Sequence, residues 1–212
     1  MSEKKFIFIM TIVTIYITVS LVCDPLAFRL ISLFGLVFSA SPIPYALLYP
    51  LLDMLTRSLG RAVTIKLIVL FHFSDFLFSY LLYFINLLPA PVNFHSLVAF
   101  NTVILPLPRL FWSGIIGAML SGIVEVLIYA FFQKRFNSFF LSSFLATTII
   151  LFGHNVPTEL LALKTSFPTN YVSIVATNFG VSIFCLAIYA ALAGLILKYI
   201  GIPSRKKLLT ND

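Results

Sequence analysis

The sequence is poor in charged side chains, and this scarcity excludes most classes of soluble protein. Only 10% of its 212 residues are Asp, Glu, Lys or Arg, whereas soluble domains average about 25%. The hydrophobic share is 60% and the mean hydropathy is +1.07. Ionisable groups are costly at the centre of a bilayer, so a lipid-facing surface requires such a deficit. The composition therefore predicts an integral membrane protein.

Cysteine is also scarce, and recognisable catalytic motifs are missing. Cys23 and Cys185 lie in different segments and give no disulfide or metal-binding pattern. The sequence contains no glycine-rich phosphate loop, no G-x-S-x-G elbow and no H-E-x-x-H motif, and its three histidines lack metal-ligand spacing. We therefore expect neither an enzyme nor a cofactor or metal site.

Long apolar runs divide the chain into roughly six helices. A helix needs about 20 apolar residues to cross the hydrocarbon layer, and proline or polar clusters separate the runs. Residues 26–38, interrupted by Arg29 and Gly35, either re-enter the membrane or lengthen the second helix. We expect an all-α bundle, with one polytopic domain over residues 1–204 and a short basic tail at 205–212. The predicted spans are residues 6–22, 44–59, 63–87, 108–132, 139–163 and 172–200.

Lysine and arginine are concentrated in alternate loops. Six spans place eleven of the 14 basic residues on one side, and only Arg29, Arg109 and Lys164 on the other. Because cytoplasmic loops are enriched in Lys and Arg, both termini are predicted to be cytoplasmic. This placement accounts for the net charge of +7 without a nucleic-acid partner. The sequence indicates a multi-pass protein of the cell (inner) membrane.

Four acidic residues fall inside or at the edge of predicted spans: Asp53, Asp75, Glu125 and Glu159. Such groups face the bundle interior, a water-filled cavity or a partner, and they commonly mark solute pathways. A structural alternative exists for Asp53, because Arg57 follows one helical turn later and can pair with it. These acids are the best candidate functional residues.

Polar neighbours add detail to two of these acids. His72 lies three residues before Asp75 on the same helix face, and the two can relay protons or simply fasten helices together. Glu125 follows a face of small residues that allows another backbone to approach closely and places the carboxylate beside a cavity. This face consists of Gly114, Gly117, Ala118, Ser121 and Gly122.

The fifth predicted helix contains a proline within a polar stretch. Pro157 frees a backbone carbonyl one turn earlier and is expected to kink the helix. Asn155 and Glu159 lie one turn apart around it, and broken helices of this kind are typical of transporter sites. Alternatively, the helix is simply approaching the outer surface.

Several short motifs together resemble a known family of membrane proteins. Arg29 precedes Gly35 by six residues, and residues 49–60 carry a Tyr-x3-Asp-x2-Thr-x3-Gly pattern at Tyr49, Asp53, Thr56 and Gly60. The family's pattern of an Arg, an acid and an aromatic residue is matched by Arg109, Glu125, Tyr129 and Lys134, with Glu in place of the usual Asp. The family's polar group in helix 5 is similar to Gly153, His154, Asn155 and Glu159, where the spacing is one residue longer. Gly180 and Ala190 stand near the places of a usual helix 6 lysine and proline. The chain is similar to the putative vitamin uptake transporter family, whose best-known members import queuosine precursors.

The resemblance implies a secondary transporter that imports a 7-deazaguanine-type base across the lipid bilayer. A carboxylate can accept the paired N–H donors of a guanine-like edge, while aromatic rings such as Trp112 or Tyr129 stack on its face. His72 and Asp75 are the candidate proton relay. The predicted substrate-binding residues are Asp53, Glu125, Asn155, Tyr49, Arg109 and Glu159.

Two other functions remain possible from the sequence. A substrate-capturing subunit of an ATP-driven vitamin transporter also has about six helices, but such subunits dock through small residues on helix 1, and residues 6–22 contain no alanine. A non-transporting membrane scaffold would use the buried acids only to fasten its helices.

Overall fold

A computed structural model describes residues 3–26, 29–33, 35–91, 94–166 and 169–202 and confirms the all-α membrane class. A π-helical segment, Leu151–Asn155, joins the sixth helix to the seventh. The predicted tail at 205–212 lies outside the described residues. The α-helices are α1 (Glu3–Leu26), α2 (Pro42–Leu59), α3 (Arg61–Asn86), α4 (Leu97–Ile104), α5 (Leu107–Arg135), α6 (Phe139–Ile150), α7 (Val156–Ser166) and α8 (Tyr171–Ile200).

Five stretches of the described chain are long and apolar enough to cross a membrane: Glu3–Leu26, Arg61–Asn86, Gly114–Arg135, Phe139–Leu161 and Tyr171–Ile200. They coincide with five of the six predicted spans. The remaining predicted span, residues 44–59, corresponds to α2. This helix is less apolar than the other five because it lies inside the bundle, where twelve of its 18 residues are buried. A helix shielded by protein needs fewer apolar side chains than one that faces lipid.

The buried helix α2 is the centre of the molecule. It packs against α1, α3, α5, α6 and α8. Its apolar face joins a core that includes Leu52 and Leu55 of α2, Ile68 and Phe71 of α3, and Val126 of α5. The position of α2 brings its polar residues close to those of several other helices.

Two strands that form a β-hairpin precede α2, so the predicted lengthening of the second helix by residues 26–38 is wrong, while their re-entry into the membrane stays a prediction. The strands β1 (Leu30–Leu33) and β2 (Leu36–Ser39) pair in antiparallel fashion. Gly35 lies in the turn with φ of 77°, a conformation that glycine adopts without steric cost. The Ser39 N–H donates to Oδ1 of Asn178 in α8 at 3.0 Å. Four-residue strands in an apolar sequence are too short to be distinguished from helix by periodicity.

The connection between α3 and α5 also differs from the expectation. The sequence predicts only a connection of proline and polar residues between the spans 63–87 and 108–132, but the helix α4 lies within it. The run Leu97–Ile104 contains neither glycine nor proline, so nothing in it prevents a short helix.

The π-helical segment lies directly before Pro157, near which the sequence predicts a kink. The Val156 N–H donates to the Leu151 carbonyl five residues earlier. Pro157 has no N–H to donate to the carbonyl of Gly153, which favours an irregular turn at this place. Such π turns inside helices occur frequently at functional sites.

Candidate functional site

A cavity of about 250 Å³ lies between α1, α2, α3 and α5. Its wall extends from Asp24 and Ser41, near the end of α1 and the start of α2, to Leu52 and Gly122 deeper in the bundle. Drug-sized ligands usually occupy pockets of roughly 300–1,000 Å³. The cavity is therefore suited to a small solute.

Small residues of α5 make room for this cavity. Gly114, Ala118, Ser121 and Gly122 all line it. Gly117 faces His154 instead of the cavity. A Cβ atom added at Gly117 would lie only 2.7 Å from Nε2 of His154. The small-residue face predicted from the sequence thus forms one cavity wall, and at Gly117 it leaves space for the side chain of His154.

One side of the cavity carries charged groups. The Nδ1 atom of His72 lies 3.3 Å from Oδ2 of Asp75, and the Ser20 hydroxyl donates to Oδ1 of Asp75 at 3.0 Å. Asp24 lines the same cavity. The structure therefore places His72 and Asp75 together on the cavity wall, and their role as a proton relay stays a prediction.

Three tyrosines supply aromatic surface to the cavity: Tyr16, Tyr45 and Tyr49. The Tyr45 and Tyr49 rings meet edge to face at 5.5 Å, with their hydroxyls 3.3 Å apart. The Tyr49 hydroxyl also lies 3.5 Å from Oδ1 of Asn155, which is 3.2 Å from Nδ1 of His154. Tyr49 and Asn155, both predicted as site residues, thus meet where α2 contacts the π-helical segment.

Asp53 and Glu125 are fully buried and lie beneath the cavity. Neither residue lines it, although Tyr49 and Ser121, one helical turn before each acid, do. Oε1 of Glu125 accepts a hydrogen bond from the Thr147 hydroxyl at 2.8 Å. The carboxylates of Asp53 and Glu125 are close enough to interact electrostatically, and the Ser143 hydroxyl faces Asp53.

The ion pair between Asp53 and Arg57 that the spacing allowed is not formed. One guanidinium nitrogen of Arg57 donates to the carbonyl of Ile202 at 3.1 Å, and the group lies 5.9 Å from the ring centre of Phe139. Among the described residues, the ion pair that forms is between His72 and Asp75.

The remaining predicted residues lie away from the cavity. Oε2 of Glu159 accepts from the Asn178 side chain at 2.7 Å, which links α7 through α8 to the hairpin. Arg109 is exposed near the start of α5, and Trp112 is exposed with its indole N–H donating to Tyr80. Tyr129 is fully buried against Phe139.

Sequence reasoning missed several residues of the cavity wall. Tyr16, Ser20 and Asp24 follow one another at four-residue intervals on α1, and Tyr45 precedes Tyr49 by four. This spacing places each set on one helix face. A polar stripe along an otherwise apolar span was the signal that could have identified these residues.

Comparison with known proteins identifies a family. The family model described as putative vitamin uptake transporter matches residues 39–196, about three quarters of the chain. The match extends from the end of the hairpin through most of α8, so it includes Tyr49, Asp53, Glu125 and Asn155. Comparison with curated proteins and with solved structures finds no match.

Proposed function

The chain belongs to the putative vitamin uptake transporter family, and from this premise we propose that it imports a queuosine precursor, a 7-deazaguanine-type base, by secondary transport. The observation that supports this most directly is the small cavity between α1, α2, α3 and α5, which combines carboxylates with tyrosine rings. The chain is a multi-pass membrane protein, so the solute must pass through the bundle.

The lining of the cavity suits a planar base with N–H donors on one edge. Asp24 makes no side-chain hydrogen bond to a described residue, so its carboxylate is available to accept donors from the solute. The rings of Tyr16 and Tyr49 provide faces for stacking. In this proposal Asn155 positions Tyr49, and His72 with Asp75 transfers protons at the wall.

The other predicted substrate residues have no contact with the solute in this arrangement. Arg109 is exposed and Glu159 is held by Asn178, both outside the cavity. Asp53 and Glu125 lie one turn beneath the cavity floor. Their position favours a role in the transport cycle other than first contact with the base.

The proposed orientation gives the cavity a direction. With both termini in the cytoplasm, the end of α1 and the start of α2 lie at the outer face of the cell (inner) membrane. The cavity reaches that end through Asp24 and Ser41. A solute arriving from outside would therefore enter it first.

Uptake of a labelled 7-deazaguanine base tests the proposal. Cells that cannot synthesise queuosine precursors should accumulate the label only when they express this chain. Asp24→Asn should reduce uptake at least tenfold, because the amide presents an NH2 donor in place of the second carboxylate oxygen that would accept the neighbouring N–H of the base. Glu3→Gln, an exposed acid on the same helix, is the matched control and should transport normally.

Two results would count against the proposal in different ways. Equal uptake with and without the chain rejects this solute. Normal uptake by the Asp24→Asn variant rejects the role of Asp24 but leaves the solute unchanged.

A further inference from the structure

A pair of buried carboxylates forms the layer directly beneath the cavity. Asp53 of α2 and Glu125 of α5 have no exposed surface. Each follows a cavity-lining residue, Tyr49 or Ser121, by four positions, which is just over one helical turn or about 6 Å along the axis. The pair is therefore adjacent to the proposed solute site without being part of it.

The pair has more hydrogen-bonding capacity than its surroundings satisfy. Oε1 of Glu125 accepts from Thr147, but Oε2 and both oxygens of Asp53 accept no hydrogen bond from a described residue. The buried Ser143 hydroxyl faces Asp53 and has no well-formed hydrogen bond of its own. Buried polar atoms are nearly always paired, so the unsatisfied carboxylate oxygens on packed helices are best explained by a functional role.

No basic side chain of the described chain forms an ion pair with either acid. The titratable groups that face the pair are Tyr49 on α2 and Tyr129 on α5, and Arg57 lies against Tyr129. Arg57 contacts the Ile202 carbonyl. On α6, the Thr147 hydroxyl donates to Glu125 and the Ser143 hydroxyl lies beside Asp53. Within the described chain, therefore, no ion pair neutralises either acid.

Two neighbouring carboxylates in a dry part of the membrane cannot both be ionised. Carboxylate pairs in other proteins share one proton for this reason. We infer that Asp53 and Glu125 are the coupling site of the transporter and cycle between one and two bound protons during import. This inference rests on the proposed transport function.

The protonation cycle balances without any other reactant. A proton from the outer water converts the remaining carboxylate to a carboxylic acid when the cavity is open to the outside. The neutral pair can then be enclosed in the bundle, and it releases that proton to the cytoplasm after the solute leaves. Tyr49 and Ser121 line the cavity one helical turn before the two acids, so only a short distance separates the pair from the cavity.

Infrared spectroscopy tests the pair without any solute. The full chain in lipid nanodiscs should show absorption from a protonated carboxylic acid that titrates reversibly with pH. The double variant D53N/E125Q should lose the part of this titrating band that the pair contributes, whereas E159Q, a matched change of a partly buried acid, should keep that part. The same band in the double variant would overturn the inference.

Two further measurements complete this test. If the double variant does not fold, D53N and E125Q alone must each shift the band, and an unchanged band in both overturns the inference. Replacing potassium chloride by sodium chloride should leave the titration unchanged. A sodium-dependent shift would mean that sodium, and not a second proton, is the cation.

Transport in proteoliposomes separates this inference from the proposed function. Wild-type protein should exchange a labelled 7-deazaguanine base without a gradient and accumulate it when the outside is acidic. D53N and E125Q should keep exchange and lose accumulation. Exchange without acid-driven accumulation, or full accumulation by D53N, would overturn the coupling role. Absence of all exchange would reject the solute, and the infrared result then decides the role of the pair.

Discussion

At the scale of single residues, the acidic side chains differ in how many hydrogen bonds their carboxylates accept from neighbouring residues. Glu159 receives a 2.7 Å hydrogen bond from Asn178 and Asp75 receives one from Ser20. Asp53 receives none of good geometry from the described chain. Well-paired acids hold helices together, whereas an unsatisfied buried acid is more readily explained by function.

Thr147→Val tests how much the hydrogen bond from Thr147 to Glu125 contributes to the stability of the protein. The substitution keeps the shape of the side chain but leaves both oxygens of Glu125 without a hydroxyl donor. We expect a loss of about 1–2 kcal/mol in stability, between the values for charged hydrogen bonds in general and for those inside membranes. Thermal unfolding in detergent measures it.

Thr147→Ser is the control for that measurement, because it retains the hydroxyl. Its midpoint should lie close to the wild-type value. A Val variant as stable as the Ser variant would show that the 2.8 Å contact contributes nothing.

Contacts within one helix could be predicted from the sequence, and contacts between helices could not. The meeting of His72 with Asp75 follows from their three-residue spacing. The bonds from Thr147 to Glu125 and from Asn178 to Glu159 depend on how separate helices are rotated and staggered. Hydropathy contains no information on either quantity.

At the scale of elements, the long apolar helices could be predicted and the short irregular pieces could not. The predicted span 139–163 begins at the residue where α6 begins. The hairpin 30–39 and the helix α4 were missed because their residues are as apolar as the spans around them. Their form depends on contacts such as that between Ser39 and Asn178.

The π-helical segment explains an irregular spacing in the sequence. The polar group from Gly153 to Glu159 is one residue longer than the family pattern it resembles. A turn closed over five residues instead of four holds one additional residue while the helix on either side keeps its orientation. We interpret Leu151–Asn155 as the place where this residue is accommodated.

Deletion of Phe152 should therefore be tolerated. Phe152 is exposed within the π-helical segment, and its removal allows a regular α-turn there without rotating α7 against α6. The matched control is deletion of Phe184, exposed in the regular helix α8, which rotates the rest of α8 by about 100°.

Size-exclusion profiles and thermal midpoints measure both deletions. The Phe152 deletion should remain monodisperse, whereas the Phe184 deletion should aggregate because the buried face of α8 is no longer continuous. Equal damage from the two deletions would contradict the assignment of the additional residue.

At the scale of the whole molecule, the distribution of basic residues predicts which side of the membrane the cavity faces. The structure places the cavity towards the end of the bundle where α1 ends and α2 begins. Charge counting predicts that this end faces outward. Together they predict that the outer side supplies the solute.

Cysteine labelling tests this direction. A maleimide that cannot cross membranes should label His95→Cys, between α3 and α4, in intact cells. It should label Asn137→Cys, between α5 and α6, only after permeabilisation. Both positions are exposed, so their accessibility to the reagent is comparable. The opposite labelling pattern would place the cavity at the cytoplasmic face.

The buried position of α2 has a consequence for how the chain enters the membrane during synthesis. An insertion machinery accepts a segment according to its apolar content, and central Asp and Arg residues oppose acceptance by about 2.5–3.5 kcal/mol each. With Asp53 and Arg57 in only 18 residues, α2 is a weak candidate by itself. We expect that it is retained only once α1 and α3 can surround it, so the three helices are inserted as one unit.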